Sequence, residues 1–139
     1  MPPIDKSQNP FISIQIAIMT VSDTRTEETD SSGRALCDAI TTSGHGVAIK
    51  VIVLDNIYRI REVISSWIAD DGIQAIITSG GTGITGRDVT PEAIAPLLDK
   101  HIDGFGELFR HVSIAEVGTS TLQSRAIARR VSYRQGWPA

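Results

Sequence analysis

Ile73-Gln74-Ala75-Ile76-Ile77-Thr78-Ser79-Gly80-Gly81-Thr82-Gly83 is the stretch on which the fold turns. Its first half, Ile73 to Thr78, is apolar on both faces, as a strand buried in a parallel sheet requires. Its second half is a glycine-rich loop. Two further strands of the same kind precede it. Ile12 to Val21 carries Ile14, Ile16, Ala17, Ile18 and Met19, and Val47 to Leu54 is again rich in Val and Ile.

Helical signals fill the gaps between these strands. After the first, Asp30, Ser31 and Ser32 offer N-caps; Ala35, Leu36, Ala39 and Ile40 repeat at helical spacing, and Gly44 supplies a left-handed stop. After the second, Asp55 and Asn56 can cap a helix whose apolar stripe is Ile57, Ile60, Ile64, Trp67 and Ile68, broken by Asp70-Asp71-Gly72. Trp67 on that stripe reads as core. Strand, helix, strand, helix, strand is the pattern of a doubly wound, mostly parallel α/β sheet. Further on, Thr90 reads as an N-cap, with Pro91 at the first helical position and Pro96 ending that helix early. A helix from about Gly104 to Ser113 sets Phe105, Leu108, Phe109 and Val112 on one face and stops at Gly118. A last helix, capped by Thr119 or Ser120, is expected through Arg129.

Composition narrows the function. A chain of 139 residues fits one domain. With 41% hydrophobic but only 5% aromatic residues, the core must rest on Ile, Val, Leu and Ala. The formal charge of −3 argues against a nucleic-acid partner, which would require a basic face. The one basic cluster, Arg125, Arg129, Arg130 and Arg134, reads as a solvated helix face or a subunit contact. Cys37 is the single cysteine, which fits a cytoplasmic setting and reads as a buried, inert thiol. No stretch approaches the ~20 apolar residues of a membrane span. Met1 to Pro10, without an apolar signal core, reads as part of a flexible arm over residues 1–11.

In an open parallel sheet, ligands bind at the carboxyl edge of the strands. Three segments reach that edge: Ser22-Asp23, Asp55-Asn56 and the loop Ser79-Gly80-Gly81-Thr82-Gly83. Glycine lets successive N–H groups turn toward one anion, and a helix start follows within the next residues. A tight turn without a ligand explains the glycines equally well. The loop lacks the Gly-Lys-Ser/Thr of a Walker A motif. Asp55 and Asp88 are the carboxylates best placed for Mg²⁺, which takes one or two carboxylates and completes its shell with phosphate and water. Capping of the neighbouring helix and loop is their competing role. His45, His101 and His111 are scattered without zinc-like spacing, and no Gly-x-Ser-x-Gly serine-hydrolase motif occurs. His45, between two glycines, reads as an exposed turn residue.

The order of motifs is more specific than any one of them. Thr20-Val21-Ser22-Asp23, Asp30-x-Ser32-Gly33, Ser79 to Gly83, Arg87-Asp88-Val89-Thr90-Pro91-Glu92-Ala93 and Gly104-Phe105-Gly106-Glu107 follow one another. Over about Ile14 to Ala128 the chain resembles the MoaB/MogA family of molybdenum-cofactor biosynthesis proteins. Gly118 to Ala126 (Gly-Thr-Ser-Thr-Leu-Gln-Ser-Arg-Ala) resembles its MoaB branch. The resemblance implies a three-layer α/β/α domain over residues 12–139 that self-associates as a trimer or a hexamer. It implies a reaction in which molybdopterin attacks the α-phosphate of Mg-ATP, giving adenylyl-molybdopterin and diphosphate, with ATP and molybdopterin as substrates and no tightly held cofactor. Asp55 and Asp88 then fall on the family's functional aspartates. Gly80 to Gly83 fall on its phosphate-contacting segment, and Ser22, Asp23, Ser79, Thr82 and Arg87 line the same rim. The tail from Arg129 departs from the family's further strand, Pro-Gly loop and helix. Weakened turnover and an exposed sheet edge are therefore expected. A non-catalytic molybdopterin-binding or carrier protein and a purely structural remnant are the alternatives.

Overall fold

The computed structural model describes residues 9–130. Most of the expected N-terminal arm and the tail after Arg130 lie outside them. The chain runs β1 (Gln15–Val21), α1 (Ser31–Thr42), β2 (Gly46–Val53), α2 (Ile57–Ala69), β3 (Ala75–Ser79), α3 (Thr90–Ile94), β4 (Lys100–His101), α4 (Asp103–Val117) and β5 (Arg129–Arg130). Short 3-10 turns follow α3 and α4.

The main sheet is parallel, in the order β2-β1-β3. Because side chains alternate along a strand, β1 serves both faces. Ile16 and Ile18 pack with Ile40, Leu36 and Cys37 of α1, while Ala17, Met19 and Val21 pack with Ile60, Ile64 and Trp67 of α2 and Ala93 and Ile94 of α3. These are the three expected layers. Trp67 is core, as its stripe implied, and Cys37 is half-buried.

The start of α1 is fixed by a buried carboxylate. Asp30 caps it by accepting from the Gly33 N–H at 3.0 Å; it also accepts from the Thr20 hydroxyl at 2.8 Å and pairs with Lys50 at 3.1 Å. Burial opposes its charge, yet the Gly33, Thr20 and Lys50 donors hold its pKa below the ordinary value. Asn56 alone caps α2, accepting from the Tyr58 and Arg59 N–H groups. That leaves Asp55 without the capping role that competed for it.

Two expectations fail. Thr90 does not cap α3; Val89 holds that position, and the Thr90 hydroxyl donates instead to the Gly80 carbonyl at 2.9 Å. No helix runs to Arg129. After Gly118, whose φ of 63° ends α4, a 3-10 turn leads into an extended segment. This segment gives its backbone bonds across the chain, from Arg125 N to Thr82 O at 2.9 Å and from Ile102 N to Ala128 O at 2.8 Å, and a helix would have kept them internal. The helix α4 carries its apolar face as read, and among the described residues nothing covers it: Phe105, Leu108, Phe109 and Val112 are 42–64% exposed.

Among the described residues β3 pairs on one side only, with β1. An apolar groove of about 1090 Å³ runs along its open edge, between Trp67, Ile94, Phe105 and Ile127. The core itself rests on α2. Ile60 is fully buried and Leu54 is 58% exposed. Ile60→Ala should cost about 2–5 kcal/mol in urea unfolding, whereas Leu54→Ala should cost under about 1 kcal/mol.

Candidate functional site

Parallel pairing brings three strand ends to one rim. Val21 lies opposite Val53, and Thr20 opposite Ser79, so the chain leaves each strand at the same edge. The crevice between β1 and β3 is where the connections diverge to opposite sides of β1, the usual ligand position in such sheets.

The glycine loop fits closely against that crevice. Gly80 and Gly81 have φ of 96° and 69°, conformations that L side chains rarely adopt. A Cβ on Gly80 would collide with the Val21 carbonyl, and one on Gly81 with the Thr90 hydroxyl. Thr90 clamps the turn from both ends. Its hydroxyl donates to Gly80 O and its N–H to Gly81 O at 3.0 Å. The loop is therefore a built feature that runs from β3 into the first turn of α3.

The acidic side chains meet beside it. Asp23 accepts from the Asp55 N–H at 3.0 Å through one oxygen and pairs with the Arg87 guanidinium through the other. The Asp55 N–H, and next to it Arg87, hold its pKa down. Asp88 accepts from both the N–H and the hydroxyl of Thr85, at 3.0 and 2.6 Å. These bonds lower its pKa, with help from the Gly83 N–H and the charge of Arg125. Asp88 thus shapes its own loop while sitting at the rim.

Asp55 differs. Its Oδ1 is buried and has no hydrogen-bond partner among the described residues. Burial raises its pKa, and the negative charges of Asp23 and Asp88 raise it further against the pull of Arg87 and the Val89 N–H. A buried acceptor left unmatched is costly and is characteristic of a functional position. The three carboxylates are thus close enough to feel one another, and the structure places Asp55 and Asp88 at the same rim.

The remaining candidates divide. Ser22 accepts from the N–H groups of Thr24 and Arg25 at 3.2 and 3.0 Å, so its hydroxyl oxygen organises the turn after β1. Ser79 and Thr82 flank the glycines and, with Gly80, line the apolar groove; Asp55 and Asp88 do not. Arg87 is 79% exposed at its side chain and is held across the rim by Asp23. Sequence reading missed the role of Arg125, placed in a solvated cluster. It instead donates to Gly83 O at 2.7 Å and to Asp88 O, and it pairs with Glu92. His45 is half-buried rather than exposed, accepting from the Ile14 N–H at 3.1 Å.

The chemistry of the rim would suit a hard cation that brings most of its own oxygen ligands. The unmatched Asp55 Oδ1 would offer one ligand, with water or ligand oxygens completing the shell. Among the described residues no group of three or more His, Cys, Asp or Glu side chains could hold a metal alone.

The raised pKa of Asp55 makes its ionised form a cost to the folded state. A pKa raised in the folded state means that ionisation favours unfolding: its contribution is best below the ordinary carboxylate pKa and is lost as pH rises through the raised value. Asp23 has the reverse sign, stabilising above its unfolded pKa and losing that contribution as pH falls. Asp55→Asn should therefore raise the thermal midpoint at about pH 7, with the gain fading toward about pH 3, where Asp55 is protonated in both states. Asp23→Asn should lower it at the higher pH. Calorimetry across that range checks both signs.

Comparison with known proteins identifies the family and the fold. The family described as "Probable molybdopterin binding domain" matches residues 17–135. "Molybdenum cofactor biosynthesis protein B" of Escherichia coli (strain K12) is 52% identical over 118 residues, which cover 85% of this chain and 69% of the relative. A solved structure of a molybdenum cofactor biosynthesis protein B superposes with a TM-score of 0.82 at 45% identity, covering 86% of this chain and 75% of that one. A MogA structure gives 0.76 at 27% identity, covering 84% and 77%. No helix among the described residues is long and apolar enough to cross a membrane. The ordered motifs, the sheet with its glycine loop, and these matches together place the chain in the molybdopterin-binding family of molybdenum-cofactor biosynthesis proteins, beside MoaB.

Proposed function

We propose that this chain adenylates molybdopterin with Mg-ATP in the cytoplasm. In this reading a phosphate oxygen of molybdopterin attacks the α-phosphorus of ATP. The α–β P–O bond breaks and diphosphate leaves with the bonding electron pair. The observation that carries the reading is the buried, unmatched Asp55 oxygen beside Asp88 at the lip of a glycine loop in left-handed turns.

The chain's own groups divide the work. The N–H groups of Gly80, Gly81 and Thr82, close to the positive end of α3, bind phosphate oxygens, while the Gly83 N–H stays on Asp88. Arg87 lets go of Asp23 and turns to the phosphates, a change its exposure permits. Asp55 and Asp88 supply the carboxylates for magnesium, which neutralises phosphate charge when bound. Catalysis here is positioning and electrostatics, because phosphoryl chemistry needs little covalent help.

The alternative is a molybdopterin-binding or carrier protein without turnover. The apolar groove beside Ser79, Gly80 and Thr82, open among the described residues, favours it, since a pocket that excludes water needs a wall there. Self-association as a trimer or hexamer belongs to the same proposal. The exposed apolar face of α4 supports it, because monomers rarely expose such a patch.

Mixing the protein with molybdopterin and Mg-ATP and following diphosphate release separates these readings. Release that falls at least about 100-fold in Asp88→Asn, as expected when a positioned catalytic group is lost, supports the enzyme. Pterin binding without release supports the carrier. Light scattering should give three or six times the chain mass, and a monomer would contradict the assembly.

A further inference from the structure

We propose that Arg125 is the positioning residue of this site, a clasp that sets the glycine loop and Asp88 in register with Asp55. The inference rests on the reading of that rim as phosphate-binding. The segment carrying Arg125 is distant in sequence from the loop, yet four bonds tie them. Its backbone N–H donates to Thr82 O at 2.9 Å and its Nε to Gly83 O at 2.7 Å; its two terminal nitrogens reach Asp88 O and the Glu92 carboxylate. One planar guanidinium thus holds the carbonyls on either side of the 84–87 turn and the first turn of α3 at once.

Only arginine has this geometry. Its donors form a rigid fork, whereas lysine offers a single point charge. Held this way, the Gly83 N–H and the Thr85 donors stay on the Asp88 carboxylate. The Arg125 hydrogen bond, helped by its charge, also lowers the pKa of Glu92. Arg125 itself points its guanidinium at loop carbonyls, so it acts on the reaction through Asp88 and the glycines rather than by contact with substrate.

The test compares the full chain with Arg125→Gln, Arg125→Lys and Glu92→Gln by hydrogen–deuterium exchange, and by the kcat and KM of diphosphate release with molybdopterin and Mg-ATP. Arg125→Gln should speed exchange in 82–88 by at least about tenfold while leaving α2 unchanged. Release should fall roughly 100-fold, mostly in kcat, as for a misplaced catalytic group. Arg125→Lys should recover less than about a tenth of that loss, since the fork and not the charge is required. Glu92→Gln should be milder. Unchanged loop exchange in Arg125→Gln, a parallel rise in α2, or full rescue by lysine would overturn the assignment. If the wild-type chain releases no diphosphate, the adenylation reading fails and the exchange results alone decide for or against the clasp.

Discussion

The parallel register of β1 between β2 and β3 is the constraint from which the rest of this molecule follows. With Val21 opposite Val53 and Thr20 opposite Ser79, the polar residues after each strand must emerge together. Ser22 and Asp23, Asp55, and the glycine loop then share one rim without any side chain having to reach far. The core holds that register from both sides: Ile40 of α1 packs on one face of β1, and Ile60, Ile64 and Trp67 of α2 pack on the other. A slip of one residue along β1 would turn each set to the wrong face.

The rim is electrostatically unbalanced, and two arginines manage the imbalance differently. Arg87 lies across the mouth on Asp23 with most of its side chain in solvent. That pair is weak by position, since exposed ion pairs contribute little, which suits a group that must change partners. Arg125 is more enclosed and bonded chiefly to backbone carbonyls, which suits a fixed support. Between them Asp55 keeps an oxygen that nothing in the described chain satisfies. Sites that bind a cation or phosphate groups commonly hold such strain in the free state.

Much of this was legible in the sequence because it is periodic or motif-bound. Three apolar strands, the α1 and α2 stripes and the glycine loop each carry a local signature, and the place of Asp55 after a strand and of Asp88 within Arg-Asp-Val marks them as candidates at the rim where the structure sets them. What escaped depends on contacts between segments distant in sequence. Nothing local in Ser124-Arg125-Ala126 tells that Arg125 answers carbonyls at Gly83 and Asp88. The same bonds explain the failed helix, for they draw residues 124–128 out straight against the loop. Thr90 misled for a related reason: threonine before proline is a good cap in isolation, but here its hydroxyl meets the Gly80 carbonyl first. On α4 the helical period was read correctly, yet a stripe cannot say which surface will cover it.

The central claim is that amides and carboxylates from three strand ends act as a single anion–metal site. An NMR titration with magnesium diphosphate, following the Gly80–Gly83 amides together with the side-chain carboxyl carbons of Asp55 and Asp88, tests it most directly. The account predicts that all of these signals move together along one binding curve, while those of α1 and α2 stay put. Movement of the amides without either carboxyl, or of the carboxyls without the amides, would contradict it.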